Sequence, residues 1–117
     1  MKNQNFFKRL IFALRGLRSA WLSERSFRAQ VVITFIVLTT LFFLKASLQW
    51  WAVIILVIGA TLAAELMNTA LEYMLDLLHP NYHSQIGRAK DCAAAAVLVL
   101  SCSAILIFIA FLFEKYS

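Results

Sequence analysis

Hydrophobic residues occur along this chain in three long runs that short polar segments separate. The runs extend over residues 29–47, 48–70 and 92–113. A helix crosses the roughly 30 Å hydrocarbon core of a bilayer in about 20 residues, so each run has a suitable length. Lipid offers no hydrogen-bond partner to an unpaired backbone, and such segments are therefore helices. The pattern predicts an all-α integral membrane protein with three transmembrane helices.

The segment before the first run has a different periodicity. Large apolar side chains recur at helical spacing within residues 5–22, and most of the basic residues lie off that stripe. This pattern predicts a basic amphipathic helix on the inner membrane surface. Arg18 falls among the apolar side chains, where it either extends to lipid headgroups or holds an anionic ligand. The run Ser-Glu-Arg-Ser that follows predicts a break, with Glu24 close to the inner surface.

Four polar residues lie on one face of the helix that is predicted for the second apolar run and its continuation. At helical pitch, Glu65, Asn68, Glu72 and Asp76 fall within an arc of about 80°. Ionisable groups at membrane depth cost several kcal/mol and usually face a protein interior or a wet cavity. We therefore take this stripe as the candidate functional site. Asp76 is expected at the membrane surface, and Asn68 either supports the site or forms a hydrogen bond between helices.

Composition and charge agree with a membrane location and predict an orientation. Hydrophobic residues make up 62% of the chain and charged residues 15%, which excludes an ordinary soluble domain. Basic residues concentrate before the first run and in the connection between the second and third runs. By the positive-inside rule, the N-terminus and that connection face the cytoplasm and the C-terminus faces outward. We expect no nucleic-acid partner.

Small residues at four-residue spacing, such as Gly59 and Ala63, allow membrane helices to approach closely. Three spans and one surface helix do not readily enclose a polar cavity alone. We therefore expect a homo-oligomer whose subunits together surround the acidic stripe. His79 and His83 flank Pro80 and lack the further Cys or His ligands that a zinc site needs, so we expect no zinc there.

The acidic residues have a distribution that suits phosphoryl transfer to a lipid. Glu24 and Glu72, at the inner surface, could hold Mg²⁺ together with substrate phosphates. Glu65 lies about 10 Å deeper along the helix, where it could accept a proton from a lipid hydroxyl. Arg88 and Lys90 could neutralise phosphate charge. A proton- or ion-translocating subunit is the alternative, but the second run continues outward as the aliphatic segment 54–58.

The combined motifs resemble the small integral-membrane diacylglycerol kinase family of bacteria, which also contains undecaprenol kinases. The segments that carry the resemblance are Glu65-Leu-Met-Asn68-Thr-Ala-Leu-Glu72, Gly87-Arg-Ala-Lys90-Asp91, Tyr82-His83, Gly16-Leu-Arg-Ser-Ala-Trp21, Glu24 and Phe27-Arg-x-Gln30. The resemblance implies a homotrimer of three-span subunits with an N-terminal surface helix in the bacterial inner membrane. It also implies transfer of the γ-phosphate of ATP to a lipid alcohol in the cytoplasmic leaflet.

The resemblance assigns roles to individual residues. It makes Glu65 the proton acceptor, Glu24 and Glu72 the Mg²⁺ ligands, and Asn68 a supporting residue. The residues implied to contact ATP are the same two Mg²⁺ ligands and Asn81, Tyr82, His83, Lys90 and Asp91. The residues implied to contact the lipid are Glu65, Arg18, Trp21, Ser26, Phe27, Arg28 and Gln30.

The lipid substrate is the least determined part of this prediction. Diacylglycerol and undecaprenol both present a primary hydroxyl at the interface, and hydrophobic contacts discriminate poorly between them. The Gly87-Arg-Ala-Lys-Asp91 segment is similar to the diacylglycerol branch, whereas the segments 68–70 and 93–98 are similar to the undecaprenol branch. We expect diacylglycerol, converted to phosphatidic acid, with undecaprenol as the alternative.

Overall fold

The computed structural model describes residues 5–81 and 83–117, and this part of the chain is helical except for its short connections. In chain order the helices are α1 (Phe6–Ser23), α2 (Arg25–Phe43), α3 (Leu48–Leu78) and α4 (Ser84–Tyr116). The last three are long and apolar enough to cross a membrane. The prediction of an all-helical chain with three such helices is confirmed.

The break between α1 and α2 is a single extended residue, Glu24. Its N–H closes α1 by donating to the carbonyl of Ala20, 2.9 Å away. Arg28 then reaches back from the first turn of α2 and donates to the carbonyl of Trp21, with an N–O distance of 2.7 Å. The predicted break is confirmed, and it places Glu24 at the junction of two helices.

The opposite end of α2 turns back sharply into α3. The first apolar run was expected to extend to residue 47, but α2 ends at Phe43. Lys45 adopts a left-handed backbone with φ 56, a conformation that costs a non-glycine residue about 1 kcal/mol. The N–H of Ala46 then bonds the carbonyl of Leu41 at 3.0 Å. This reversal makes α2 and α3 an antiparallel hairpin.

Both α3 and α4 continue past the apolar runs into the charged segment between them. Charged side chains end the hydrophobic pattern there without ending the helical hydrogen bonds, because most of them are good helix formers. α3 ends only at Leu78, and α4 begins at Ser84. At about 1.5 Å per residue, α4 is roughly 50 Å long and longer than a hydrocarbon core is thick. Glu72 and Lys90 are therefore held on rigid helices.

The hydrophobic core of the chain lies at the end of the bundle opposite Glu24. Leu41, Ile54 and Phe111 are buried there, one from each of α2, α3 and α4. Trp50 packs edge-on against Phe111, with 5.6 Å between ring centroids. Because the apolar contacts concentrate at this end, the other end of the three helices is free to hold polar side chains.

Candidate active site

Glu65 is the most deeply buried ionisable residue in the described part of the chain. It lies on α3 between two further buried polar residues, Thr61 and Thr69, and only 2% of its surface is exposed. The hydroxyl of Ser26, on the first turn of α2, donates to Glu65 Oε1 at 2.5 Å. Burying a carboxylate costs several kcal/mol, and one hydrogen bond offsets only part of that cost. The burial of Glu65 therefore costs free energy, which is typical of a functional residue.

Asn68 and Glu72 lie on the next turns of the same face of α3. The Asn68 amide donates to Glu72 Oε1 across 3.4 Å. Its carbonyl oxygen, Oδ1, is buried and has no hydrogen-bond partner in the described residues. An unpaired buried acceptor costs about 1–3 kcal/mol. The Asn68 oxygen is thus ready to accept from a bound group or to contact a cation.

Glu24 lies within electrostatic reach of two carboxylates on α3, Glu72 and Glu65. Its side chain is partly buried at the α1–α2 junction. Burial raises the pKa of the Glu24 carboxyl, the negative charges of Glu72 and then Glu65 raise it further, and Arg28 lowers it. The two glutamates on α3 are therefore close enough to Glu24 to repel it. A bound cation would relieve this repulsion.

The chemistry of these oxygen donors fits Mg²⁺. In the part of the chain that the structure describes, no three His, Cys, Asp or Glu residues form a metal-binding cluster. Mg²⁺ is usually bound by one or two carboxylates together with substrate phosphates and water, and does not need a complete protein cage. Glu24, Glu72 and the unpaired oxygen of Asn68 match that requirement.

A separate, partly open cavity of about 300 Å³, lined mostly by polar residues, lies at the connection between α3 and α4. Asn81, Lys90 and Asp91, three of the residues predicted to contact ATP, line it together with Asp76. Lys90 Nζ lies 2.5 Å from Asp76 Oδ1. The predicted contact residue Tyr82 lies outside the described residues. The cavity brings a cation, an amide and two carboxylates together within reach of the end of α3.

His83 has a local role in the structure. Its Nδ1 accepts a hydrogen bond from the backbone N–H of Gln85 at 3.1 Å, which caps α4. An N-terminal cap pairs a backbone donor that the helix itself leaves unsatisfied. The prediction that His83 contacts ATP is not tested by this contact.

The residues predicted to contact the lipid fall into two groups. Phe27 is buried, and the Gln30 amide donates to the hydroxyl of Ser101 on α4 at 3.0 Å. Together with Ser26, these side chains connect α2 with α3 and α4. Arg18 and Trp21 are exposed on α1. The structure thus joins Ser26 to the buried glutamate and Gln30 to α4, and it leaves the α1 residues on the surface.

Three contacts near the site were not predicted from the sequence. Ser23 and Tyr73 form a hydrogen bond that ties the end of α1 to α3. Ser101 is an ordinary small residue within the third apolar run, and nothing in its spacing distinguishes it. The Asp76–Lys90 pair had a signal, because Asp76 continues the acidic stripe and Lys90 follows shortly after the connection. Its recognition required knowing that both helices extend beyond the apolar runs.

Comparison with known proteins confirms the resemblance found in the motifs. The family described as prokaryotic diacylglycerol kinase matches residues 11–112. The chain is similar to the undecaprenol kinase of Bacillus subtilis, with 36% identity over 96 residues that cover 82% of this chain and 78% of the relative. It is also similar to the diacylglycerol kinase of Escherichia coli K12, with 31% identity over 101 residues that cover 83% of each chain.

Proposed function

Because the chain belongs to the prokaryotic diacylglycerol kinase family, we propose that it transfers the γ-phosphate of ATP to the hydroxyl of diacylglycerol and forms phosphatidic acid. The observation that carries this proposal is Glu65, a buried carboxylate on an apolar helix that accepts a hydrogen bond from Ser26 at 2.5 Å. Because only 2% of its surface is exposed, bulk water is largely excluded from this carboxylate.

In the proposed reaction Glu65 acts as the general base. Ser26 holds Glu65 Oε1, so Oε2 is the oxygen that would accept the proton of the lipid hydroxyl. The hydroxyl oxygen forms a bond to the γ-phosphorus as the bond between that phosphorus and the β–γ bridging oxygen breaks, and ADP leaves. General-base catalysis contributes about 10²–10⁴-fold to a rate, provided that the base is within hydrogen-bond reach.

Glu24 and Glu72 are proposed to hold Mg²⁺ with the nucleotide, with Asn68 as a supporting residue. Burial and then the charges of Glu72 and Glu65 raise the pKa of Glu24, and this charge repulsion, together with the unpaired oxygen of Asn68, supports the assignment. When bound, Mg²⁺ neutralises charge on the transferring phosphate. Glu24 and Glu72 would hold the metal, and the Asn68 amide fixes the orientation of Glu72 through their hydrogen bond.

The nucleotide is proposed to lie against the polar cavity between α3 and α4. Lys90 would pair with phosphate oxygens there after leaving Asp76, and Asn81 and Asp91 line the same cavity. His83 and Tyr82 are proposed as further contacts in the same connection. On the lipid side, Ser26, Phe27, Arg28 and Gln30 are proposed to contact the substrate, together with Arg18 and Trp21 on α1.

We further propose a homotrimer in the bacterial inner membrane, with α1 on the inner surface, the N-terminus and active site cytoplasmic and the C-terminus outward. Many large apolar side chains are exposed on the subunit, and an added Cβ at Gly59 meets only open space, which leaves room for a neighbouring helix. Analytical ultracentrifugation in detergent tests the trimer, and a monomer that retains full activity would exclude it.

Undecaprenol is the second candidate substrate, because a relative with 36% identity is an undecaprenol kinase. The two candidates are distinguished by a competition assay with purified protein, Mg²⁺ and ATP, in which both lipids are present at equal concentration in the same micelles. We expect phosphatidic acid as the main product. Preferential formation of undecaprenyl phosphate would identify undecaprenol as the substrate. The absence of any lipid phosphorylation would refute the proposed kinase activity.

A further inference from the structure

A largely apolar cavity of about 320 Å³ lies between α2, α3 and α4, and its lining on α3 begins at Leu62 and Thr61, about one helical turn from Glu65. Gln30 and Thr61 line it. Gln30 follows Ser26 by four residues on α2, and Thr61 precedes Glu65 by four residues on α3. Because the two helices are antiparallel, both steps lead in the same direction, about 6 Å away from the Ser26–Glu65 contact. A lipid whose hydroxyl meets Glu65 would place its next few atoms in this cavity.

Two side chains that line the cavity each have a donor proton without a hydrogen-bond acceptor in the part of the chain that the structure describes. Of its polar side chains, Thr34 donates to the carbonyl of Gln30 at 2.8 Å, and Thr61 donates to that of Val57 at 2.7 Å. The Gln30 amide donates one proton to Ser101 Oγ at 3.0 Å. A glutamine amide has two protons and a serine hydroxyl has one. One proton of Gln30 and the hydroxyl proton of Ser101 have no acceptor among the described residues.

These two donors face a cavity whose other lining is mostly aliphatic or aromatic. A donor that loses water without gaining an acceptor costs free energy, so a ligand that brings an acceptor to this place is favoured over one that does not. These donors therefore discriminate between lipids that have an acceptor a short distance from the hydroxyl and lipids that do not. Hydrophobic contacts alone would discriminate poorly between them.

We propose that Gln30 and Ser101 recognise an ester carbonyl of diacylglycerol and so determine the specificity of this kinase. In a 1,2-diacylglycerol the nearer ester carbonyl oxygen lies about five bonds from the free hydroxyl oxygen and at most about 5 Å away, because the ester is Z, and this distance is close to the roughly 5.4 Å rise of one turn of α2. A polyprenol has no acceptor at that distance. This inference rests on the proposed lipid kinase activity and deepens it by naming the group that is recognised.

The test compares a diacylglycerol with the dialkylglycerol of the same chain length, in detergent micelles with the purified full-length protein. The two lipids share the hydroxyl and the chains, but the dialkyl lipid has ether oxygens in place of ester carbonyls. We expect kcat/KM to be about three- to tenfold higher for the diacyl lipid, the size expected for one hydrogen bond between neutral groups.

Two variants locate the origin of this preference. Ser101→Ala removes the hydroxyl donor, and Gln30→Met removes the amide while keeping the length of the side chain. Each should lower kcat/KM for the diacyl lipid and bring the diacyl-to-dialkyl ratio close to one. Ser103→Ala is the matched control, because Ser103 lies on the same helix and donates to the carbonyl of Val99 at 2.9 Å. It should keep the wild-type ratio.

The outcomes separate this inference from the proposed function. Equal use of both lipids by the wild-type protein, or a preference that survives in both variants, would overturn ester recognition while lipid kinase activity stands. A protein that phosphorylates no lipid alcohol would overturn both. A ratio that falls in Ser101→Ala and Gln30→Met but not in Ser103→Ala establishes the recognition of the ester.

Discussion

The hydroxyl of Ser26 lies 2.5 Å from the Glu65 carboxylate, although 39 positions separate the two residues in the chain. This contact closes the open end of the α2–α3 hairpin, and Leu41 and Ile54 pack together at the end near its turn. Glu24 immediately precedes α2, so the same contact also fixes its distance from Glu65. The hairpin thus positions the proposed base and one proposed metal ligand together.

Replacing Glu65 with Gln should abolish most turnover. The amide keeps the size of the side chain but does not accept the proton of the lipid hydroxyl, and we expect kcat to fall by at least about 100-fold. ATP affinity should remain nearly unchanged, because Glu65 is not among the proposed ligands of the nucleotide. Steady-state kinetics and nucleotide-binding titrations measure the two quantities separately.

The matched control for this variant is Glu114→Gln. Glu114 is exposed at the other end of the bundle, where it accepts from the Trp50 indole at 3.3 Å. It should retain wild-type kinetics. Loss of ATP binding in Glu65→Gln, with turnover preserved at saturating nucleotide, would contradict the role of general base.

Replacing Ser26 with Ala should lower kcat by roughly tenfold, since a hydrogen bond to a charged group contributes about 1.5–3 kcal/mol and only part of this is specific to the transition state. Ser26→Thr keeps a hydroxyl and should restore most of the activity. If Ser26 only packs against α3, both substitutions would change stability, but the Ala and Thr variants would have the same kcat. We therefore compare kcat, KM and thermal unfolding between the wild-type protein and the two variants.

The sequence was sufficient to predict the helices and the buried acid, because hydrophobic periodicity and an isolated charge in an apolar run are local signals. The helix ends were less predictable. Glu72 and Lys90 lie on continuous helices because polar residues such as these interrupt hydropathy but not backbone hydrogen bonds. The partners Ser26 and Ser101 depend on how helices pack, and neither residue stands out by its spacing. The packing of α2 against α3 and α4 determines both contacts.

Replacing Glu72 with Gln should raise the Mg²⁺ concentration needed for half-maximal activity, by roughly tenfold if one charged ligand is lost. The Asn68 amide can still donate to the new carbonyl oxygen, so the fold near the site should persist. Activity measured against Mg²⁺ concentration at saturating ATP tests this, again with Glu114→Gln as control. An unchanged Mg²⁺ requirement would show that Glu72 is not a ligand.

Two variants with opposite effects test the Lys90–Asp76 pair. Lys90→Met removes a phosphate partner and should raise KM for ATP by about tenfold. Asp76→Asn frees Lys90 from its competitor and should lower KM for ATP by about two- to threefold, because exposed ion pairs contribute less than about 1 kcal/mol. Lys45→Met, on the opposite connection, is the control for lost charge. A rise of KM in both variants would mean that the pair only stabilises the structure.

The raised pKa of Glu24 predicts how activity responds to pH. Its causes are burial and the charges of Glu72 and Glu65, so Glu24 is protonated at pH values where an ordinary glutamate, with a pKa of about 4.3, is ionised. A proton on Glu24 competes with Mg²⁺. We expect the Mg²⁺ requirement to rise as the pH falls through the raised pKa. Activity measured against Mg²⁺ concentration at several pH values tests this.

Stability without metal should have the opposite pH dependence. A carboxyl whose pKa is raised on folding contributes stability below the pKa of the unfolded chain, and loses that contribution as the pH rises through the folded value. The metal-free protein should therefore unfold at a lower temperature above the raised pKa than below it, and Mg²⁺ should remove the difference. Glu24→Gln cannot ionise and should reduce both dependences. The variant could instead keep the wild-type pH dependence of both unfolding and the Mg²⁺ requirement. Mg²⁺ would then not neutralise the carboxylate of Glu24.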